Sequence, residues 1–517
     1  MKIRSLAILA ITLLLTTAVE ANNKDNTTKV KVQNGEKWWG LVVEPSSLML
    51  PFERAFAVAT EDFSPTLYKA NMLLSNRGRY VWSASPLAVG FDGKTITIDA
   101  ADGSKVEVHK SGRTLREAYL MCCHRNFPPK AVEATATLFE KPIYEFGGED
   151  AMLYNQQSVI DFATMLLGRG APSGTILLPM GWNSTTGDFV FDHEAYPDPK
   201  AMTDSLHSKG MNVMLTITPY VMAAGRGYRQ NLKEGNLMLG GDNQPVVFQT
   251  RMGYTACRTL TPEAIAAIEQ QLLTLSKEVG IDGFYFDCLD AVALLKDDKA
   301  QLTNYLALWN SLGTNIDVAI FSTPMGQQLG STASSVSASR LYTWDTLAES
   351  LERAIDASVL GFTRTSLAAD LDFKGGDQAL ALRTAQLAAL LPVAIIPYSV
   401  WSISSEGDEL CSLLAWRAKN GAYYLSLAEQ SATSAEPILR HLEYQFPRTG
   451  FSNCRDEFMV GTKWLVAPVI DNSGVRMVRL PKGRWKELDS GRIIKGPRVI
   501  DVNVTDGKVP IYEKVEK

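Results

Sequence analysis

Ile281-Asp-Gly-Phe-Tyr-Phe-Asp287-Cys-Leu-Asp290 is a short apolar run that ends on two carboxylates. Burying an unpaired carboxylate is costly enough to force its protonation. A buried strand ending on Asp287 therefore puts that acid at a strand mouth, where polar partners or a substrate reach it. A lone Asp in such a place often does no more than cap the next helix, so its surroundings decide. Other apolar runs lead to Asp370 and to Trp344-Asp345, with Asp372 and Asp377 just beyond the first; Trp182 and Trp401 follow two more. Carboxylates and aromatics in a chain with only five His suit a carbohydrate, because sugar rings stack on Trp and their hydroxyls pair with carboxylates. Breaking a glycosidic bond takes one carboxyl as nucleophile or base and a second as acid. Scarce His and no ligand-spaced motif argue against a metal, and no cofactor is implied. Trp182 and Trp401 suit plain packing equally well. Cys288, with no His near it in sequence, reads as core filling rather than a nucleophile.

These residues need a frame that brings strand ends together. Short apolar stretches at 142–146, 175–180, 212–219, 283–287, 317–322, 340–344, 366–371 and 392–398 read as strands. Segments of helical period, such as 262–279, 347–359 and 379–391, lie between them. Eight strand–helix units predict a (β/α)8 TIM barrel, whose chemistry comes from the C-terminal strand ends. An open doubly wound sheet is the alternative, but no glycine-rich phosphate loop supports it. Before the barrel, residues 29–141 alternate as in Thr95-Ile-Thr-Ile-Asp99, with turns at Asp92-Gly93 and Asp102-Gly103. That predicts an antiparallel β-sandwich domain. The barrel is expected over 142–435, and a C-terminal β domain over 436–517, where Trp464-Leu-Val-Ala-Pro-Val-Ile470 stands out.

A chain of 517 residues exceeds one small core and calls for several domains. A net charge of −5 without a basic run argues against nucleic acid as a partner. Residues 1–21 carry a basic start (Lys2, Arg4), an apolar run (Leu6 to Leu15) and a small-residue cleavage site, Val19-Glu-Ala21. They predict a signal peptide and export to the periplasm or the cell exterior. The run is too short for a membrane span, and no later segment suits one. Six Cys show neither zinc spacing nor a dense disulfide framework. The oligomeric state is not legible.

Gly181-Trp-Asn-Ser-Thr-Thr-Gly-Asp-Phe-Val-Phe-Asp192 is similar to the Trp…Gly-Asp-Phe segment of glycoside hydrolase family 31, the retaining α-glycosidases, which the chain resembles from about residue 70 onward. Tyr196-Pro-Asp-Pro-Lys-Ala-Met202, His207-Ser-Lys-Gly-Met211 and Val213-Met-Leu-Thr-Ile-Thr-Pro219 follow it in the family's order. Phe458-Met-Val-Gly461, Leu465-Val-Ala-Pro-Val469 and Leu480-Pro-Lys-Gly-Arg-Trp485 look like its C-terminal domain. Leu74-Ser-Asn-Arg-Gly-Arg-Tyr-Val-Trp82 and Leu115-Arg-Glu-Ala-Tyr119 look closest to the branch with α-galactosidase-type members and the animal myogenesis-regulating glycosidase. The resemblance implies Asp287 as nucleophile, Asp290 as a supporting acid and Asp370 as the substrate-binding Asp of strand seven. Trp182, Trp344, Trp401 and Tyr285 are the remaining candidate substrate contacts.

The pattern breaks at several positions. Pro179 and Met180 stand where the family keeps an Asp pair before Trp182, and Phe321-Ser-Thr323 lacks the family's Arg. The general-acid position after strand six falls on Thr343 or Trp344, or near Ser339, and neither alignment finds a carboxylate. A hydroxyl is too weak an acid to replace one, and losing acid assistance is worth about 10²–10⁴ in rate. Asp345 would serve only if its loop has moved, since two residues of extended chain span about 6–7 Å. The expected function is hydrolysis of α-galactosides or α-glucosides, with Asp345 or Asp370 as acid. The alternative is a member with impaired turnover that binds carbohydrate or acts as a scaffold.

Overall fold

The computed structural model describes residues 26–43, 50–64, 67–129, 135–147, 154–183, 185, 187–240, 242–250, 253–295, 298–323, 333–336, 341–373, 376–403 and 407–516. The expected leader lies outside them. The N-terminal part is two four-stranded antiparallel sheets. Thr95–Ala100, which alternates buried and half-buried residues along its length, pairs with Thr28–Lys31 and Leu87–Phe91. Such alternation is what a strand with one face on the core shows. A helix not expected from the sequence, Leu115–Asn126, leads out of the sandwich, and Thr114 Oγ1 caps it by accepting the Glu117 N–H at 3.2 Å.

Eight parallel strands follow, pairing in the order 7-6-5-4-3-2-1-8. They are Ile143–Glu145, Thr175–Leu178, Asn212–Ile217, Gly283–Phe286, Ala319–Phe321, Ala333–Ser335, Thr365–Ser366 and Ile395–Ile396. The Val393 N–H donates to the Thr365 carbonyl at 3.1 Å, bringing strand eight onto strand seven and nearly closing the ring. Local chemistry sets the helices between them. Pro262–Val279 begins at Thr261, whose hydroxyl accepts the Ala264 N–H, has Pro at its first turn, and ends on Gly280 with φ 86°. Those are the start and stop residues helices favour.

Strand six differs from expectation. The barrel strand is Ala333–Ser335, in register with Ile320 on one side and Thr365 on the other. Leu341–Tyr342 instead pairs with Asp372–Phe373 in a separate two-stranded sheet. Ala-Ser-Ser carries no apolar strand signal, so the apolar Leu-Tyr pair downstream attracted the assignment. Its burial comes from another domain: Tyr68 donates its hydroxyl to the Ser335 carbonyl at 2.9 Å and packs edge-on against Phe362.

The C-terminal domain is a six-stranded antiparallel sheet whose core includes Leu465, Val478, Trp485 and Tyr512. Among the described residues no helix is long and apolar enough to cross a membrane.

Candidate active site

Strand four aims its residues by simple alternation. Phe286 faces the helix layer, stacked on Phe321 at 4.9 Å and edge-on to Trp309 at 5.8 Å. Tyr285 and Asp287 therefore face the lumen. Gly283 is required where strand four meets strand five, since a Cβ there would lie 2.5 Å from Val318 Cγ1. Tyr285 is buried, and its hydroxyl accepts the Ala369 N–H at 3.2 Å, so the ring reaches across the lumen toward the end of strand seven.

Asp287 is 4% exposed. Its backbone N–H donates to the Ile217 carbonyl at 2.8 Å, and its Oδ1 accepts the Leu289 N–H at 3.1 Å. Asp290 is half-buried in the first turn of Leu289–Leu295. Tyr220, just past strand three, accepts the Ala291 N–H at 3.0 Å. Burial, with the nearby Asp287 and Asp290 charges, pushes its phenol far above the ordinary range, so it stays protonated. Phe248 closes over it at 5.3 Å. Tyr220 escaped the sequence reading; its signal was an aromatic directly after the Pro219 that ends an apolar run.

A second lumen-facing carboxylate was also missed. Register pairs Glu145 with Leu177, Leu177 with Met214, and Met214 with Gly283, so Glu145 lies on the face that carries Asp287. It is 6% exposed, and its carboxylate accepts the backbone N–H of Asp370 and, at 3.4 Å, that of Tyr398. A Glu within the apolar stretch 142–146 was the available sign. Asp370 is half-buried with φ 62°, a left-handed backbone uncommon outside glycine.

The other candidates spread outward. Trp182 is buried against Phe191 at 4.9 Å and donates its indole N–H to the Thr216 carbonyl at 2.9 Å, forming a wall beside strand three. Trp344 is half-buried, and Asp345 is exposed in the first turn of Trp344–Val359. Thr343 is the cap of that helix, accepting the Thr346 N–H at 3.2 Å. Trp401 packs edge-on against Tyr144 at 6.0 Å in the strand–helix layer, which is the packing role. The buried Cys288 thiol is pushed well up by desolvation and by Asp287, the opposite of what a nucleophile needs. Among the described residues one group has ligand-like spacing: Cys454, Asp456 and Glu457 in the C-terminal domain. Arg476 and Arg479 already pair with it, at 3.0 and 2.9 Å, so cations occupy the place a metal would take.

A near-closed parallel barrel with carboxylates from strands one, four and seven at its mouth has the architecture of a carbohydrate-active barrel enzyme. Residues 141–402 match the glycosyl hydrolases family 31 TIM-barrel domain, and residues 435–516 the glycosyl hydrolase family 31 C-terminal domain. The chain belongs to glycoside hydrolase family 31. It is similar to an α-xylosidase of Saccharolobus solfataricus, at 23% identity over 64% of this chain and 48% of that protein. An α-glucosidase of the same organism is 31% identical over 20% of this chain and 15% of its own length. The chain thus spans less than half of either relative. Among solved structures, a Flavobacterium johnsoniae family 31 dextranase complexed with glucose shares the fold at TM-score 0.76 and 17% identity, over 95% of this chain and 67% of that one.

Proposed function

We propose that the protein is an exported retaining α-glycosidase with Asp287 as its nucleophile. The supporting observation is the placement of Asp287: inward-facing, at the lumen end of strand four, with its carboxylate oriented by the Leu289 N–H. In this reaction the Asp287 oxygen bonds to the anomeric carbon as the glycosidic C–O bond breaks, and the leaving oxygen takes a proton. Water then cleaves the glycosyl ester and restores the carboxylate. Asp370, tied to the lumen through Glu145, is the better placed of the two proposed acids, because Asp345 is exposed on a helix turn. The substrates are α-linked glucosides, galactosides or, by likeness to the α-xylosidase, xylosides. Export rests on the basic, apolar and small-residue order of residues 1–21.

The test is release of nitrophenol from 4-nitrophenyl α-glucoside, α-galactoside and α-xyloside, which need little acid help. Wild type releases it and Asp287→Asn does not; a silent panel sinks the hydrolase. One observation favours a second reading, sugar binding with impaired turnover: of the places where the family's acid could fall, Thr343, Trp344 or near Ser339, none is a carboxylate, and Thr343 is engaged as a helix cap. Binding of the same glycosides by titration, without release, identifies that case.

A further inference from the structure

The lumen carboxylate of strand one has no part in the reaction as written, yet it is buried where the sugar would sit. Its two oxygens reach two different mouth segments: Asp370 beyond strand seven and Tyr398 beyond strand eight. Asp370 holds a left-handed backbone, which an L-residue keeps only where its surroundings impose it. A carboxylate that accepts backbone N–H groups from two separate segments is placed to fix both of them. Strand one is a rigid neighbour of strands two and eight, so it can hold the mouth segments in place.

We infer that Glu145 is a positioning residue for the sugar-binding site, setting the Asp370 carboxyl through the Asp370 backbone N–H. This deepens the α-glycosidase reading and rests on it for the identity of the ligand. Glu145 itself neither attacks nor protonates the sugar. Asp370 contacts the substrate, and Tyr398 is fixed by the same carboxylate.

A double-mutant cycle tests the link. Glu145→Ala removes both acceptors and lowers kcat/KM on an α-disaccharide, whose turnover needs Asp370 either as acid or as sugar contact, by about 10–100-fold, as expected for a misplaced contact. In an Asp370→Asn background the same change has an effect within about 3-fold, because the residue it positions is already lost. Equal effects in both backgrounds overturn the proposal. If Glu145→Ala does not fold, Glu145→Leu, which fills most of the same volume without an acceptor, carries the same cycle. A wild type that releases no nitrophenol defeats the hydrolase reading alone, and the cycle is then read from binding of the same glycosides.

Amide hydrogen exchange supplies a readout independent of any ligand. The Asp370 N–H exchanges at least about 10-fold faster in Glu145→Ala, while amides of the C-terminal sheet keep their rates. An unchanged Asp370 rate, or an equal rise throughout the protein, overturns the proposal whatever the activity.

Discussion

Trp344 donates its indole N–H to Asp377 Oδ2 at 3.0 Å, fastening the start of the helix after strand six to the start of the helix after strand seven. The same Asp377 accepts the Leu380 N–H at 3.0 Å through Oδ1 and so caps Gln378–Leu390. Asp377→Ala removes a cap worth about 1 kcal/mol and a side-chain bond worth about as much again, roughly 2 kcal/mol in all. Trp344→Phe removes only the second. Urea unfolding should therefore rank Asp377→Ala below Trp344→Phe.

Asp345 and Asp370 make opposite predictions as the acid. Asp345 is exposed in the first turn of a helix, where a carboxylate is favoured by the helix dipole without any catalytic role. Asp345→Asn should keep kcat/KM within about 3-fold on natural-type α-disaccharides, whereas Asp370→Asn should lower it by about 10² or more. On 4-nitrophenyl glycosides the Asp370 deficit shrinks if the loss is acid assistance, and persists if the loss is sugar binding. A collapse of disaccharide turnover in Asp345→Asn would return the acid role to the strand-six loop.

Arg417 is fully buried and spans four carbonyls: Ala389 at 3.1 Å, Leu391 at 2.8 Å, Phe139 at 3.1 Å and Pro392 at 2.8 Å. It thereby satisfies the carboxyl end of Gln378–Leu390 and the entries to strands one and eight, with its guanidinium over the Tyr424 ring. Arg417→Met leaves those carbonyls buried and unmet and should lower stability by about 3–5 kcal/mol. Arg417→Lys restores the charge but not the planar fork, and should recover less than half. Chemical denaturation of both variants measures this.

The legible parts of the chain were those in which local chemistry agrees with the fold. Thr261, Pro262 and Gly280 bracket a helix where the apolar period also begins and ends. Asp287 was legible because an acid closing an apolar strand is locally anomalous. Strand six was not, because Ala333–Ser335 draws its burial from Tyr68 in another domain. Glu145 and Tyr220 were missed for the same reason. Their partners, Asp370 and Ala291, lie far along the chain, and no periodicity encodes such a pairing.

Asp356 lies buried on Trp344–Val359, and its Oδ1 has no partner among the described residues. Desolvation raises its carboxyl to about 8, partly opposed by Arg455 and reinforced by Glu352. Unfolded, the group titrates near 3.8. Between those two values the folded chain holds a proton that the unfolded chain has released, so stability falls as pH rises from about 4 to about 8 and levels off above. At about 1.4 kcal/mol per unit of difference, the span reaches several kcal/mol. Asp356→Asn keeps the neutral shape and abolishes the slope, so it should match wild type near pH 4 and exceed it at pH 8. Denaturation midpoints for both proteins across that window check the sign; parallel curves would mean that Asp356 is charged in the folded protein at neutral pH.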